Sequence, residues 1–279
     1  MAPLLLGLLP SARTVARRLR AGWELLLPTP GPRYLSDTPR VSGTQPFDVF
    51  FPPNVPTLAA AAQSPETARF VISVLEKLTP SDEHDVSAFY HRWGQAKFGD
   101  AWRYADITTV LRAAALFLRP HSYLEIGVRR GRSSAIVAAT CPQCAIYGFD
   151  LWLPGYANDA NPGPDFVRGE LRAVGYRGDV TLISGDSKRT VPAFLRDHPE
   201  LFLDLITVDG DHSVAGAAAD LVNVLPRLKV GGIVVFDDIC AAPLLTHVWR
   251  SLVEKDSRYV TWEFTDAGYG IAAAIRVRD

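Results

Sequence analysis

Ser122-Tyr123-Leu124-Glu125-Ile126-Gly127-Val128-Arg129-Arg130-Gly131-Arg132-Ser133-Ser134 reads as a buried strand that turns over glycines into a helix. Gly127 lets the backbone leave the strand sharply. Gly131 removes a side chain where a ligand must come close, and the helix that follows presents free backbone N–H groups at its start. The spacing is E-x-G-x-x-x-G, not the G-x-G-x-x-G of a pyrophosphate-binding dinucleotide site. With Glu125 ahead of the first glycine, the loop suits a ligand carrying an amine and a sulfonium better than one carrying phosphates. S-adenosylmethionine is such a ligand, and Glu125, Gly127, Gly131 and Ser133 are its candidate contacts here. An ordinary strand-to-helix loop would have the same outline.

Working outward, Ala145-Ile146-Tyr147-Gly148-Phe149-Asp150 is a second apolar strand ending in a carboxylate, where an open α/β sheet places the acid that bonds ribose hydroxyls. Asp150 is the ribose candidate. A third strand, Asp179 to Ser184, runs into Gly185-Asp186-Ser187, and Asp186 could accept from an adenine amino group. Each acid taken singly could equally be a helix N-cap. Three polar stops at the carboxyl ends of consecutive strands form the row in which ligands of open α/β sheets bind. A fourth strand leads from Leu203 to Asp209-Gly210-Asp211-His212. Its helix carries Val214, Ala218, Leu221, Leu225 and Leu228 on one face, with Pro226 awkward in the last turn. Gly231-Gly232 reads as a stop, and Ile233-Val234-Val235-Phe236-Asp237-Asp238 as a fifth strand that again ends in acid.

In this order and spacing, L-E-I-G-V-x-x-G-x-S-S, V-D-G-D-H-S and L-K-V-G-G-I-V-V-F-D-D-I resemble the class I S-adenosylmethionine-dependent methyltransferases over residues 104–279. The branch they look like is that of cephalosporin hydroxylase-like and macrolide-sugar O-methyltransferases. The resemblance implies an α/β fold, a Rossmann-like sheet of seven strands with only the last reversed. The hairpin Tyr259 to Phe264 and Gly270 to Val277 would close it around Asp266-Ala267-Gly268. It also implies Mg²⁺ held by Asp209, Asp237 and Asp238, which are hard oxygen ligands of the kind that ion requires. The metal would act as a Lewis acid on the acceptor hydroxyl. Catechol-type relatives have Asp-Asn where this chain has Asp237-Asp238, and adjacent acids can also be a cap plus first-turn charge with no metal. His212, in a loop where related sugar enzymes place a histidine, is the candidate general base. A solvent-facing histidine at a helix start is the other reading. The remaining histidines show no metal-ligand spacing.

Composition fits one large domain plus an elaboration: 279 residues, 48% hydrophobic, with 29 basic and 30 acidic residues for a net charge of −1. That balance, without a basic patch interleaved with aromatics, gives no reason to expect a nucleic-acid partner. Cys141-Pro142-Gln143-Cys144 lacks the second pair a zinc site needs.

Residues 1–27 form an amphipathic segment in which Leu4 to Leu9 precede Arg13, Arg17, Arg18 and Arg20. That order is the reverse of a secretory signal, and the run is too short to span a bilayer. Three readings stand: residues 1–24 lying on an anionic membrane surface, a transit peptide, or a helix packed on the core or on a second subunit of a homo-oligomer. The expected location is the cytoplasm, membrane-peripheral if the first holds. Residues 28–63, with eight prolines between Pro28 and Pro56, read as an extended linker. Residues 64–103 read as a helical cap, opening at Ser64-Pro65 with Phe70, Val71, Val74, Leu75 and Leu78 on one face. A second helix is expected from Ser81 to about Phe98, and this cap, with Tyr90, His91 and Trp93, is the expected cover for a small-molecule or sugar acceptor. Two other classes stay open, an NAD(P)-dependent oxidoreductase sharing Asp150 and a catalytically silent S-adenosylmethionine-binding or assembly protein.

Overall fold

The computed structural model describes residues 31–35, 37–41, 55–156, 161–241, 243–266 and 268–279. The segment 1–27 and most of 28–54 lie outside the described residues, and with them the reading of residues 1–24 as a membrane-surface or packing helix. Among the described residues, no helix is long and apolar enough to cross a membrane.

Four helices come first: α1 (Val55–Ala62), α2 (Pro65–Leu75), α3 (Asp82–Phe98) and α4 (Ile107–Leu118). Their starts are written locally. Ser64 caps α2 through Thr67 N–H with Pro65 in the first turn, and Ser81 caps α3 through His84 N–H. Asp106 and Thr109 close a capping box on α4. The expected linker is corrected at its end, because Val55–Ala62 is helical. Pro56 falls in the first turn, where its missing N–H costs no intrahelical bond, and the four alanines behind it are strong helix formers.

The remainder alternates. β1 (Ser122–Ile126), α5 (Arg132–Thr140), β2 (Ala145–Asp150), α6 (Pro164–Ala173), β3 (Val180–Ser184), α7 (Ser187–Asp197), β4 (Leu203–Val208), α8 (Val214–Val224) and β5 (Leu228–Asp237) lead to α9 (Pro243–Trp249) and the hairpin β6 (Tyr259–Phe264) and β7 (Ile271–Arg276). The sheet order is β3-β2-β1-β4-β5-β7-β6. β7 runs antiparallel to both neighbours, while the other observed pairings are parallel. The chain reverses its direction of winding between β1 and β4, so the loops after those strands part and leave a crevice.

Alternate side chains serve two cores. Tyr123, Leu205, Ile233, Val235 and Ala273 pack with residues of α1 to α6. Leu124, Ile126, Ile206, Val208 and Val234 pack with α7, α8 and α9.

One boundary differs from expectation. Leu228 does not continue α8; it begins β5, and Gly231-Gly232 lie within the strand. Pro226 cannot carry the helix on, so residues Leu225–Arg227 tighten into a single 3₁₀ turn. The pairing of β4 with β5 then slips between Leu203 and Leu205, which absorbs the extra length.

At the amino ends of the strands, Asp204 is fully buried. Its Oδ2 accepts from His121 N–H at 2.9 Å and Ser122 N–H at 3.0 Å, and Oδ1 accepts from Lys229 Nζ at 2.9 Å. This clasp joins β1, β4 and β5. Asp204→Ala leaves two N–H groups and an ammonium without their acceptor, so urea denaturation should show a loss of about 3–5 kcal/mol. A loss below about 1 kcal/mol would remove the clasp from the fold's essential contacts.

Candidate functional site

At the carboxyl ends the turn after β1 is held from both sides. Gly127 N–H donates to Phe149 O and Asp209 N–H donates to Ile126 O, each at 2.8 Å. Gly127 has φ +92°, and a Cβ there would lie 1.8 Å from the Asp209 carbonyl oxygen. No other residue fits. Gly131 caps α5 with φ +80°, and its Cβ would meet Val167 Cγ1 at 2.9 Å. Both glycines mark close approach, as their spacing suggests, but the nearest neighbours are the protein's own backbone and a valine.

Glu125 is fully buried beneath this turn. Ser133 and Ser134 hydroxyls donate to its two oxygens. Burial pushes its carboxyl up to about 8, against the lowering effect of the two serines and with a further push from the charge of Asp209. Glu125 therefore supports the loop from below. Ser133 faces the cavity rim as well, alongside Gly127, Arg129, Arg132, Asp209 and Glu83.

Asp150, at the end of β2, accepts from Arg129 N–H at 2.7 Å and from Trp152 N–H, with Asn161 Nδ2 at 3.5 Å. A carboxylate offers about four lone-pair sites, so capacity for a further donor remains. Asp186 is the N-cap of α7, accepting from Lys188 N–H at 3.0 Å. Capping uses one of its oxygens.

The acids after β4 and β5 converge. His212 lies between two carboxylates, Nε2 at 3.3 Å from Asp209 Oδ1 and Nδ1 at 3.3 Å from Asp238 Oδ2. The hydrogen bond to Asp209 raises the imidazole above its ordinary value, burial opposes it, and the Asp238 and Asp211 charges add to the rise. One ligand atom from each of Asp209, His212 and Asp238 lies within 4.8 Å of the others. Asp237 stands outside this set. Burial, then the charges of Asp209 and Asp238, hold its carboxyl well above the usual range. Asp238 adopts φ +59°, a left-handed conformation that turns its side chain toward His212.

Three residues without a local sequence signal complete the site. Glu83, on α3, pairs with Arg129 Nη1 at 3.2 Å and Arg132 Nη2 at 2.9 Å. Burial works against the charge of Arg132, and Glu83, Asp106, Asp237 and Asp209 outweigh it, so its guanidinium is held more firmly protonated than usual. Arg129 and Arg132 stand in the glycine turn itself, but nothing in its spacing marks them as partners of a distant acid. Glu83 is far away in sequence, and its helix pattern marks it only as first-turn acid.

A family model described as a methyltransferase domain matches residues 124–239, the span from β1 to the end of β5 that holds Glu125, Asp150, Asp209, His212 and Asp238. Among solved structures, the O-methyltransferase TomG from Streptomyces achromogenes, involved in tomaymycin synthesis and solved with S-adenosylmethionine, superposes with a TM-score of 0.51. It is 18% identical over 72% of this chain and 92% of its own. The fold is that of a Rossmann-like methyltransferase. The S-adenosylhomocysteine-bound methyltransferase PaMTH1 from Podospora anserina aligns over 99% of this chain and 100% of its own, at 17% identity and a TM-score of 0.49. Calicheamicin methyltransferase CalS11 aligns over 76% and 91%, at 21% and 0.48. A search of curated proteins returns no match.

The buried Glu125 yields a pH test. Its folded pKa of about 8 lies above the ordinary 4.5, so the folded chain keeps a proton that the unfolded chain releases, and stability falls as pH rises through that window. Glu125→Gln, neutral at every pH, should melt close to the parent near about pH 5 and above it near about pH 9. Parallel melting curves for the two proteins would show that Glu125 is ionised in the fold.

Proposed function

We propose that this protein is an S-adenosylmethionine-dependent methyltransferase that methylates a hydroxyl of a small molecule or sugar. The observation that carries the reading is the meeting of the Gly127 turn with the Asp209–His212–Asp238 cluster at the carboxyl ends of β1, β4 and β5. Methyl transfer from a sulfonium is a single displacement, so the enzyme's work is to align the acceptor oxygen with the methyl carbon and to remove its proton. The glycine turn and Asp150 supply one half of that alignment by holding the cofactor's amino-acid and ribose ends. Asp209 and Asp238 fix the ring of His212 from both sides. When the acceptor displaces one carboxylate from its ring nitrogen, that nitrogen takes the acceptor's proton and the carboxylate on the other nitrogen stabilises the imidazolium that forms. The resemblance to macrolide-sugar enzymes supports a sugar or comparable polyol as acceptor.

The same cluster fits a divalent cation by its donor set, two carboxylates and an imidazole converging within 4.8 Å. Mg²⁺ favours an all-oxygen shell, and the imidazole widens the choice to first-row transition ions. Bound there, the ion would polarise the acceptor hydroxyl as a Lewis acid. Asp209, His212 and Asp238 would hold it, with Asp237 behind them.

Calorimetry with S-adenosylmethionine should give saturable binding where NAD gives none, and incubation with labelled cofactor and a panel of hydroxylated glycosides and phenols should label a product. Binding of NAD instead would move the protein to hydride chemistry. His212→Ala should lower turnover by roughly 10²–10⁴-fold with cofactor affinity unchanged. Turnover equal to the parent's would strip His212 of the base role.

Chelation followed by Mg²⁺ or Mn²⁺ addition tests the ion separately: activity should fall and return. Full turnover in excess chelator would leave the cluster as a metal-free base assembly.

A further inference from the structure

Two guanidiniums face the cavity at the glycine turn, and a single carboxylate bridges them. Arg129 Nη1 meets Glu83 Oε2 and Arg132 Nη2 meets Glu83 Oε1, so each fork takes its own oxygen of the Glu83 carboxylate. All three side chains are between about a quarter and a third exposed, at 28%, 23% and 33%, and line the cavity with Gly127, Ser133 and Asp209. Arg129 is fixed in place by its own backbone: it has φ +49°, and its N–H donates to Asp150 at 2.7 Å. Asp209 lines the same cavity and brings a carboxylate to it. A cavity lined by paired cations and by an acid is complementary to a zwitterion, with a carboxylate toward the forks and an ammonium toward the acid.

On the reading of this site as an S-adenosylmethionine site, we infer that Arg129 and Arg132 form the subsite for the α-carboxylate of the cofactor's amino-acid end, and that Glu83 occupies their forks until the ligand arrives. Glu83 is thus a competitor built into the cover helix. Its carboxylate keeps two neighbouring guanidiniums from repelling one another in the free protein, and it yields to a ligand that brings the same group. The assignment explains why a loop suited to a sulfonium also carries arginines: the cofactor's positive charges and its one negative charge lie at different places along the same molecule.

The test uses the full chain and two nucleosides that share the adenosine and thioether but differ in the amino-acid end, S-adenosylhomocysteine and 5′-methylthioadenosine, measured by calorimetry. The parent should prefer S-adenosylhomocysteine. The Arg129→Gln, Arg132→Gln double variant should lose about 10–10²-fold in affinity for it, the worth of charge-assisted hydrogen bonds, while methylthioadenosine binding stays within about threefold. Glu83→Gln should tighten S-adenosylhomocysteine several-fold and leave methylthioadenosine unchanged, a gain that a merely structural anchor would not produce. The charge-preserving Arg132→Lys, which keeps a cation but not the fork, should fall between parent and double variant and serves if the latter misfolds. A parent that binds both nucleosides, with arginine variants that keep the parental preference, overturns this inference alone. A parent that binds neither nucleoside defeats the methyltransferase reading, and this inference with it.

Discussion

The contact on which the site depends is the packing of the Gly127 backbone against the carbonyl of Asp209. It lies where the sheet changes its direction of winding, between β1 and β4. Because residue 127 has no side chain, the first turn can lie on the fourth strand's end, and Asp209 N–H can reach Ile126 O while Gly127 N–H reaches Phe149 O. Three strand ends are thereby held at one level. Asp209 and the helix start at Arg132 then line one cavity, and Asp150 holds the backbone of Arg129 at its edge.

The buried carboxylates of the sheet show how differently the two ends are organised. Asp204, at the amino ends, is met by two backbone N–H groups and by the ammonium of Lys229. Glu125, at the carboxyl end of β1, is met by neutral hydroxyls, those of Ser133, Ser134 and Tyr123, with no cation beside it, and keeps its proton to high pH. Cations are spent elsewhere at that end. The charges of Asp209, Asp237 and Asp238 crowd one another, and His212 and Arg132 are the groups that offset them. A carboxyl crowd of this kind is costly to assemble for stability alone, and the cost is typical of places where chemistry is done.

Much of this was legible because the strands are continuous apolar runs ending in glycine or acid, and because serine caps announce the helices α2 and α3. Gly127 and the row of Asp150, Asp209 and Asp238 could be placed from such local patterns. What could not be placed depends on contacts between distant segments. Leu228 matches the helical period of α8, and only its pairing with Leu203 on β4 makes it a strand residue. Glu83 looks like an ordinary first-turn acid favourable to the helix dipole, and its partners Arg129 and Arg132 become visible only once α3 lies across the turn. Ser133 reads as a ligand contact by position, and its hydroxyl turns inward to Glu125 because a buried carboxyl demands a donor.

Helix α3 also changes what the N-terminal elaboration is. Its buried stripe of His84, Ala88, His91 and Gly94 docks it on the body of the protein, with His91 Nε2 at 3.7 Å from Asp106. One turn-spaced row on its flank begins with Glu83 at the arginines and reaches Tyr90, whose ring packs edge-on to Trp102 and Tyr104. Tyr104 in turn lies within the electrostatic reach of both Asp106 and Asp237, and burial with those charges holds its phenol protonated. A single helix therefore touches the arginine end of the crevice with a charge and borders its acid end with aromatic rings. Tilting it would disturb both ends together, so the helices ahead of β1 belong to the site's geometry and are not an appendage to a self-sufficient sheet.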